Sequence, residues 1–381
     1  MKQIIINGKI ILENEIISGN LLINDGSIEG ITNEVIDGYQ VIDAKNYYVS
    51  PGFIDVHTHG RVGFDTMNAT NEAIEALSLA NLETGVTSFL ATTMTQSLES
   101  TKQAIETVAN YKGNEKGAKI AGIHMEGPFI NIEYKGAQPS QYIVPPTLEV
   151  FNAMVKEHRS LVKLITIAPE IDGAYNFIEQ MKEYNITVSI GHTAATYDQV
   201  KEAISHGLHH ATHTFNAMTP FNHRAPGVVG AVFDSDKIYA ELILDGLHVH
   251  FASANILIKQ KGVDKVVLIT DSMEAAGLAA GLYQLGGQPV YVKNKEARLK
   301  DGTLAGSVLN MNKAVYNAYK LLGLPLYDAV KMASITAAKS VNLDNVGILQ
   351  DRYSADIIMF DEDITIKFVM VDGQIRKQLG E

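Results

Sequence analysis

The stretch Pro51-Gly-Phe-Ile-Asp-Val-His-Thr-His59 is the part of this chain that decides its fold. Its apolar run predicts a strand, and that strand ends in a His-Thr-His motif. Side chains in a strand alternate with period two, so His57 and His59 lie on the same side. Two imidazoles at one strand end can chelate one metal ion, although a lone motif of this kind also occurs as surface decoration. The rest of the chain must separate these two interpretations.

Composition narrows the class of protein. The chain has 381 residues, of which 46% are hydrophobic and 19% charged, which is typical of a soluble globular protein with a large core. The formal charge of -12 disfavours nucleic acid as a partner, because phosphates require a basic face. The chain contains no cysteine, so any metal must be held by nitrogen and oxygen ligands.

The N-terminal segment 1–8 has an apolar run too short for a secretion signal, and polar residues interrupt it. No stretch reaches the length of a membrane span. We therefore expect a cytoplasmic protein that does not associate with a membrane.

The two ends of the chain share one pattern of short strands and tight turns. Asn7-Gly8, Asp25-Gly26 and Asp372-Gly373 are hairpin signals within these ends. We predict that residues 1–51 and 346–381 form one small β-sandwich domain from both chain termini.

Between the ends, residues 52–345 alternate apolar runs with helical segments, which is typical of βαβ units and a parallel sheet. The eight apolar runs are Phe53 to His57, Val86 to Ala91, Lys119 to His124, Val162 to Ile167, Ile186 to Ile190, His209 to Thr212, Ile238 to Leu244 and Lys265 to Thr270. They predict an α/β fold, a (β/α)8 TIM barrel. The alternative is an open doubly wound sheet, but its glycine-rich phosphate turn is missing after the first strand.

Polar residues recur where these runs end. The seven candidates are His57, His59, Glu126, His192, His213, His248 and Asp271. Barrel enzymes build their sites from the carboxyl ends of their strands, so these side chains are predicted to share one rim. Imidazoles and carboxylates without a thiolate suit Zn, Fe, Mn or Co.

The order H-x-H, H-x-E-G-P-F, G-H-T, H-x-F-N-A-M, D-G-x-H, T-D resembles the N-acetylglucosamine-6-phosphate deacetylase family of the amidohydrolase superfamily. The likeness covers essentially the whole chain. It implies that Glu126, His192 and His213 hold one divalent metal. It also implies that His57 and His59, with Glu126 bridging, hold a second, although some members carry only one.

The resemblance further implies a reaction: water activated by the metal hydrolyses the N-acetyl group of N-acetylglucosamine 6-phosphate. Asp271 is then the general base and later the general acid, while His248 contacts the acetyl carbonyl or the oxyanion. The substrate-binding residues implied are Gln138, Asn216, Ala217, Arg224 and His248. Arg61 is a further candidate at the mouth, against the alternative of a surface arginine.

The partners implied are a small-molecule amino-sugar phosphate and a second copy of the chain in a homodimer. The loop around Arg224 then lies near the partner subunit's site, and the sequence leaves open which of the two sites Arg224 serves. Two other functions also stay open at this stage. One is an amidohydrolase acting on another N-acyl or cyclic amide, and the other is a non-catalytic barrel scaffold.

Overall fold

The computed structural model describes residues 1–378. Within them the strands are, in chain order, β1 (Lys2–Ile11), β2 (Ile16–Asn24), β3 (Ser27–Thr32), β4 (Gln40–Asp43), β5 (Tyr48–Pro51), β6 (Phe53–Thr58), β7 (Gly60–Arg61), β8 (Phe64–Asp65), β9 (Val86–Thr93), β10 (Lys119–Glu126), β11 (Val162–Ile167), β12 (Thr187–Ile190), β13 (His210–Ala211), β14 (Tyr239–Ile243), β15 (Val266–Ile269), β16 (Gly281–Leu285), β17 (Gln288–Lys293), β18 (Glu296–Arg298), β19 (Ile357–Phe360), β20 (Ile366–Val371) and β21 (Gln374–Lys377). The α-helices are α1 (Asn71–Leu82), α2 (Leu98–Tyr111), α3 (Leu148–Val155), α4 (Ala174–Glu183), α5 (Tyr197–His206), α6 (Gly227–Asp234), α7 (Phe251–Lys261), α8 (Met311–Tyr316), α9 (Leu326–Met332) and α10 (Ile335–Ser340).

A parallel barrel forms the centre of the fold. Its eight strands lie in the order β15-β14-β13-β12-β11-β10-β9-β6. The last strand returns to the first through a parallel bridge between Thr58 and Ser272 and a hydrogen bond from the Asp271 amide to the His57 carbonyl, 2.8 Å long. The predicted (β/α)8 barrel is therefore confirmed, and the open doubly wound sheet is wrong.

The helices between these strands begin and end where local chemistry allows. For α5, the Thr196 hydroxyl and the Gln199 side chain cap each other's backbone amides, and Gly207 follows the last turn with φ 126°. β9 and β15 are buried on both faces, as parallel strands covered by helices must be. None of the helices in residues 1–378 is long and apolar enough to cross a membrane.

Strands from both chain ends form the second sheet, in the order β21-β20-β19-β5-β1-β2-β3 with β4 beside β1. It encloses its own apolar core, which includes Ile5, Leu21 and Met370. The predicted small β-sandwich from both termini is thus confirmed as part of the fold class.

The turns of this sheet were predicted unevenly. Asp25-Gly26 joins β2 to β3 with φ angles of 47° and 84°, as its dipeptide predicts. The hairpin at Asn7-Gly8 is wrong, because β1 runs through it with an irregularity between Ile5 and Gly8. The reason is tertiary, since Gly8 lies so close to Val49 that an added Cβ would be 2.4 Å from its methyl carbon.

Candidate metal centre

A cavity of about 320 Å³ opens at the carboxyl ends of the barrel strands. Small-molecule sites have volumes of this order. The cavity is lined by His59, Gln138, Asn216, Ala217, His248 and Asp271, together with Glu126, His192 and His213. The structure therefore brings most of the predicted site residues together on one rim.

Glu126, His192 and His213 form one compact group of donor atoms. The Glu126 Oε1 atom lies 3.2 Å from His192 Nε2 and 3.1 Å from His213 Nε2. The two Nε2 atoms are themselves 3.1 Å apart. Three donor atoms thus converge on one point from the ends of three strands.

His57, His59 and Asp271 form a second such group. The His57 and His59 Nε2 atoms are 3.3 Å apart, and they lie 3.4 Å and 3.3 Å from Asp271 Oδ1. Glu126 joins the two groups, because its Oε1 is 3.5 Å from His57 Nε2 and its Oε2 is 3.3 Å from His59 Nε2. Asp271 therefore shares the His57 and His59 group, a contact that the sequence did not predict.

These distances suit a cation at the centre of each group. Ligand atoms about 2.0 to 2.2 Å from an ion at tetrahedral angles lie roughly 3.3 to 3.6 Å apart. The donor atoms lie 3.1 to 3.2 Å apart within the first group and 3.3 to 3.4 Å apart within the second. Both groups belong to sets of buried side chains able to hold a metal ion.

The electrostatics also favour cations. Burial lowers the pKa of His57, but the carboxylates of Asp271, Glu241 and Glu126 outweigh it and raise this pKa to about 9. Burial raises the pKa of Glu126, yet the surrounding imidazoles hold it well below its usual range. Among residues 1–378, no lysine or arginine lines the cavity. The field that would hold a proton here equally attracts a metal ion.

Hydrogen bonds at Nδ1 fix the orientation of three imidazoles, those of His57, His192 and His213. His192 Nδ1 lies 2.9 Å from the Tyr134 carbonyl, and His213 Nδ1 lies 3.2 Å from the Asn216 carbonyl. A carbonyl only accepts, so each Nδ1 donates and each Nε2 keeps its lone pair. His57 uses a carboxylate instead, that of Glu241.

The backbone at the rim is strained. His192, His213, Ala217 and Asp271 adopt φ angles of 48°, 30°, 50° and 48°. A left-handed conformation of a residue other than glycine costs about 1 to 3 kcal/mol, and such residues cluster at functional sites. All four of these residues line the cavity.

His248 lines the cavity and is held by Asp245. Its Nδ1 lies 2.7 Å from Asp245 Oδ2, so Nε2 is the ring nitrogen left for a ligand. Burial raises the pKa of Asp245, but the hydrogen bonds from His248 and from the Leu247 amide outweigh it, and this pKa falls below its usual value. An ionised Asp245 therefore orients His248.

Gln138 reaches the cavity wall, but its amide is occupied within the protein. Its Oε1 accepts from the Thr95 amide at 2.8 Å, and its Nε2 donates to Glu126 Oε2 at 2.5 Å. In this arrangement Gln138 orients Glu126, in addition to any contact with a ligand.

Neither of the two candidate arginines lines the cavity. Arg61 is buried, and it binds Ser272, the Leu309 carbonyl and Asn310. These contacts join the segment after β6 to the segment after β15, so both the position at the mouth and the alternative of a surface arginine are wrong. Arg224 is exposed and lies in a separate surface cavity of about 540 Å³, so one chain does not bring it to the metal centre.

Sequence reasoning missed Glu241 and Asp245. A signal existed for Glu241, because a carboxylate stands in the middle of the apolar run 238–244, where burial requires a partner. Asp245 belongs to the D-G-x-H motif, three residues before His248.

Comparison with known proteins shows which family the chain belongs to. The amidohydrolase family model matches residues 48–376. The N-acetylglucosamine-6-phosphate deacetylase of Lysinibacillus sphaericus is 39% identical over 93% of this chain and 92% of that protein. The N-acetylgalactosamine-6-phosphate deacetylase of Escherichia coli O157:H7 is 32% identical over 85% and 86%. The crystal structure of N-acetylglucosamine-6-phosphate deacetylase from Pasteurella multocida superposes with a TM-score of 0.93 at 31% identity, covering 98% of this chain and 99% of that one. The chain therefore belongs to the amidohydrolase family.

Proposed function

We propose that this protein hydrolyses the N-acetyl group of N-acetylglucosamine 6-phosphate to glucosamine 6-phosphate and acetate. The observation that carries the proposal is the pair of converging donor groups that share Glu126 beneath the cavity. The names of the similar deacetylases support the substrate class.

In this proposal Glu126, His192 and His213 would hold one divalent metal, and His57, His59 and Asp271 would hold a second. When bound, such an ion polarises a carbonyl and lowers the pKa of a water ligand towards about 7. Nitrogen and oxygen ligands suit Zn, Fe, Mn or Co alike.

The residues of the chain supply the proton transfers and the orientation. Asp271 takes a proton from the attacking water and passes it to the amide nitrogen as the C–N bond breaks. His248 donates from Nε2 to the acetyl oxygen, on which negative charge develops. Asn216 and Ala217 line the side of the cavity where we expect the phosphate, and Gln138 contacts the sugar.

A direct test measures acetate release from N-acetylglucosamine 6-phosphate, from its galacto epimer and from unphosphorylated N-acetylglucosamine. We expect kcat/KM to be highest for the first. A higher value for the galacto epimer would reassign the substrate, as the similarity to an N-acetylgalactosamine-6-phosphate deacetylase suggests. No release from any of the three by metal-loaded protein would contradict the proposal and favour another amide.

A phosphate needs a cation as its partner, and no lysine or arginine within residues 1–378 lines the cavity. We propose a homodimer in which Arg224 of one protomer binds the phosphate in its partner's site. Support comes from Arg224 being exposed beside Phe221, which is itself 57% exposed. A guanidinium fork suits a phosphate, and an exposed aromatic side chain is typical of an interface.

Arg224→Ala is expected to raise KM for the phosphorylated sugar by about 10- to 100-fold, the cost of one charged hydrogen-bonded contact. Hybrid dimers of Arg224→Ala with Asp271→Asn show whether Arg224 binds the phosphate in its own site or in its partner's. If Arg224 serves the partner's site, the Arg224→Ala protomer of a hybrid keeps its own Asp271 and receives Arg224 from the Asp271→Asn protomer. Each hybrid then has one intact site, so mixing the two variants restores a low KM. A hybrid without that recovery places Arg224 in its own chain's site.

Asp245→Asn is expected to lower kcat by about 10- to 100-fold, because His248 loses the charged partner that orients it. Metal content should stay unchanged, since neither residue belongs to the two donor groups. Steady-state kinetics with elemental analysis of the same sample checks this. An unaltered kcat would remove Asp245 from the positioning of His248.

A cytoplasmic location is part of the proposal. A charged sugar phosphate does not cross a lipid bilayer unaided, so the enzyme must share a compartment with the reaction that phosphorylates the sugar.

A further inference from the structure

Glu241 lies in the middle of β14 (Tyr239–Ile243) and is fully buried, with 0% exposure. Its strand is otherwise apolar apart from the tyrosine at its start. An ionised carboxylate in such a position costs several kcal/mol unless hydrogen bonds and nearby positive charge compensate. The contacts of Glu241 therefore indicate what it does.

One oxygen of Glu241 joins the two donor groups. The Oε2 atom lies 2.9 Å from His57 Nδ1 and accepts from the His213 backbone amide at 2.9 Å. The Glu241 backbone carbonyl also accepts from the Thr214 amide at 3.0 Å. A single residue thus holds the side chain of a ligand in one group and the backbone of a ligand in the other.

The second oxygen of Glu241, Oε1, has no comparable contact among the described residues. Within residues 1–378, Glu241 Oε1 has no hydrogen-bond partner, and its separation from His210 Nδ1 is 3.8 Å. That His210 nitrogen lies 3.1 Å from the Ser189 hydroxyl. No lysine or arginine of the described residues pairs with Glu241, so a cation bound by the adjacent group of His57 would supply its counter-charge.

The two donor groups differ in how their imidazoles are held. Backbone carbonyls receive the Nδ1 protons of His192 and His213, whereas His57 alone uses a carboxylate. The other imidazole of its group, His59, has a buried Nδ1 without a partner among the described residues. The His57 group therefore depends on Glu241 for its orientation and for part of its charge.

We infer that Glu241 is a positioning residue that controls metal binding by the group of His57, His59 and Asp271. It holds His57 with its proton on Nδ1, so that Nε2 offers a lone pair to the ion, and its charge makes that imidazole a better ligand. This inference rests on the proposed metal-dependent function, because it concerns the ions which that function requires.

The test is Glu241→Gln, which keeps the size of the side chain and an oxygen acceptor but removes the charge. Zn²⁺ and Co²⁺ are each titrated into metal-free protein in competition with a chelator. We expect one ion to bind as in the unaltered protein and the other to bind about 10- to 100-fold more weakly. The Co²⁺ absorption spectrum then reports the loss of one coordination site without any assay of activity.

Glu241→Asp is the second variant, in case the first does not fold. It keeps the charge but withdraws the carboxylate from His57 by one methylene, so the same ion should be weakened. Asp356→Asn is the matched control, because Asp356 is also buried but lies in the terminal sheet region beside Lys119, 2.8 Å away. It is expected to lower stability and to leave both metal affinities unchanged.

Unaltered affinities for both ions in Glu241→Gln and Glu241→Asp would overturn the inference. An equal loss of both ions with a lower Tm would also do so, because it would mean a general structural role. Failure of this inference can be distinguished from failure of the proposed function. Unaltered protein that binds its metals but releases no acetate would refute the deacetylase proposal and leave the role of Glu241 standing.

Discussion

Asp271→Asn is expected to lower kcat for acetate release by about 1000-fold or more. General acid–base catalysis by one side chain contributes roughly 10²- to 10⁴-fold, and in the proposed reaction Asp271 acts in both proton transfers. It lines the cavity, and its Oδ1 lies 3.4 Å from His57 Nε2 and 3.3 Å from His59 Nε2. Single-turnover kinetics with N-acetylglucosamine 6-phosphate measures the effect on the chemical step.

Metal content must be measured in the same variant, because Asp271 also belongs to a donor group. A loss of turnover with both ions retained assigns the effect to proton transfer. Asp264→Asn is the matched control. Asp264 lies just before the amino end of β15, whereas Asp271 follows its carboxyl end, and Asp264 pairs with Lys331 at 2.6 Å. It should keep kcat within about twofold, because the amino ends of barrel strands serve stability. Turnover by Asp271→Asn near the unaltered rate would exclude Asp271 as the base.

Removal of the metal is expected to have an effect of similar size. An ion contributes several kcal/mol by stabilising charge in the transition state, so protein stripped by a chelator should lose at least about 1000-fold in kcat/KM. Stoichiometric Zn²⁺, Mn²⁺, Fe²⁺ or Co²⁺ added back should restore it. Deacetylation that continues in protein shown to be metal-free would contradict the proposed mechanism.

The stripped protein should also unfold at a lower temperature. The two donor groups, with Glu241 beside His57, bring three carboxylates into one buried region, and a bound cation would offset their repulsion. Binding to the folded state alone stabilises it in proportion to the logarithm of metal concentration. The Tm should therefore rise with added metal, and a Tm independent of metal would argue against ions in these groups.

The barrel was predictable because its signals are local. Each strand is a short apolar run followed by a helical segment, and every predicted run matches an observed strand to within two residues. The gathering of His57, Glu126, His192 and Asp271 was predictable too, because the carboxyl ends of parallel barrel strands share one rim. Neither conclusion requires knowledge of which side chains touch.

Contacts between distant residues were not predictable in this way. Asn7-Gly8 has the composition of a hairpin, but the pairing of β1 with β2, β4 and β5 keeps its strand continuous. Arg61 follows the His-Thr-His motif, yet packing against Ser272 and Asn310 buries it away from the mouth. In both cases the energy of tertiary pairing outweighs a local preference.

The positions of Glu241 and Gln138, which orient His57 and Glu126, were likewise not predictable from local sequence. His57 and Glu241 are 184 residues apart, and Gln138 meets both Thr95 and Glu126 only because three loops and strand ends converge. The period of the strands determines which side chains face the rim, and this can be read from the chain. Which imidazole nitrogen carries the proton, and whether Arg224 reaches a phosphate, depend on distances that exist only after the chain has folded and packed.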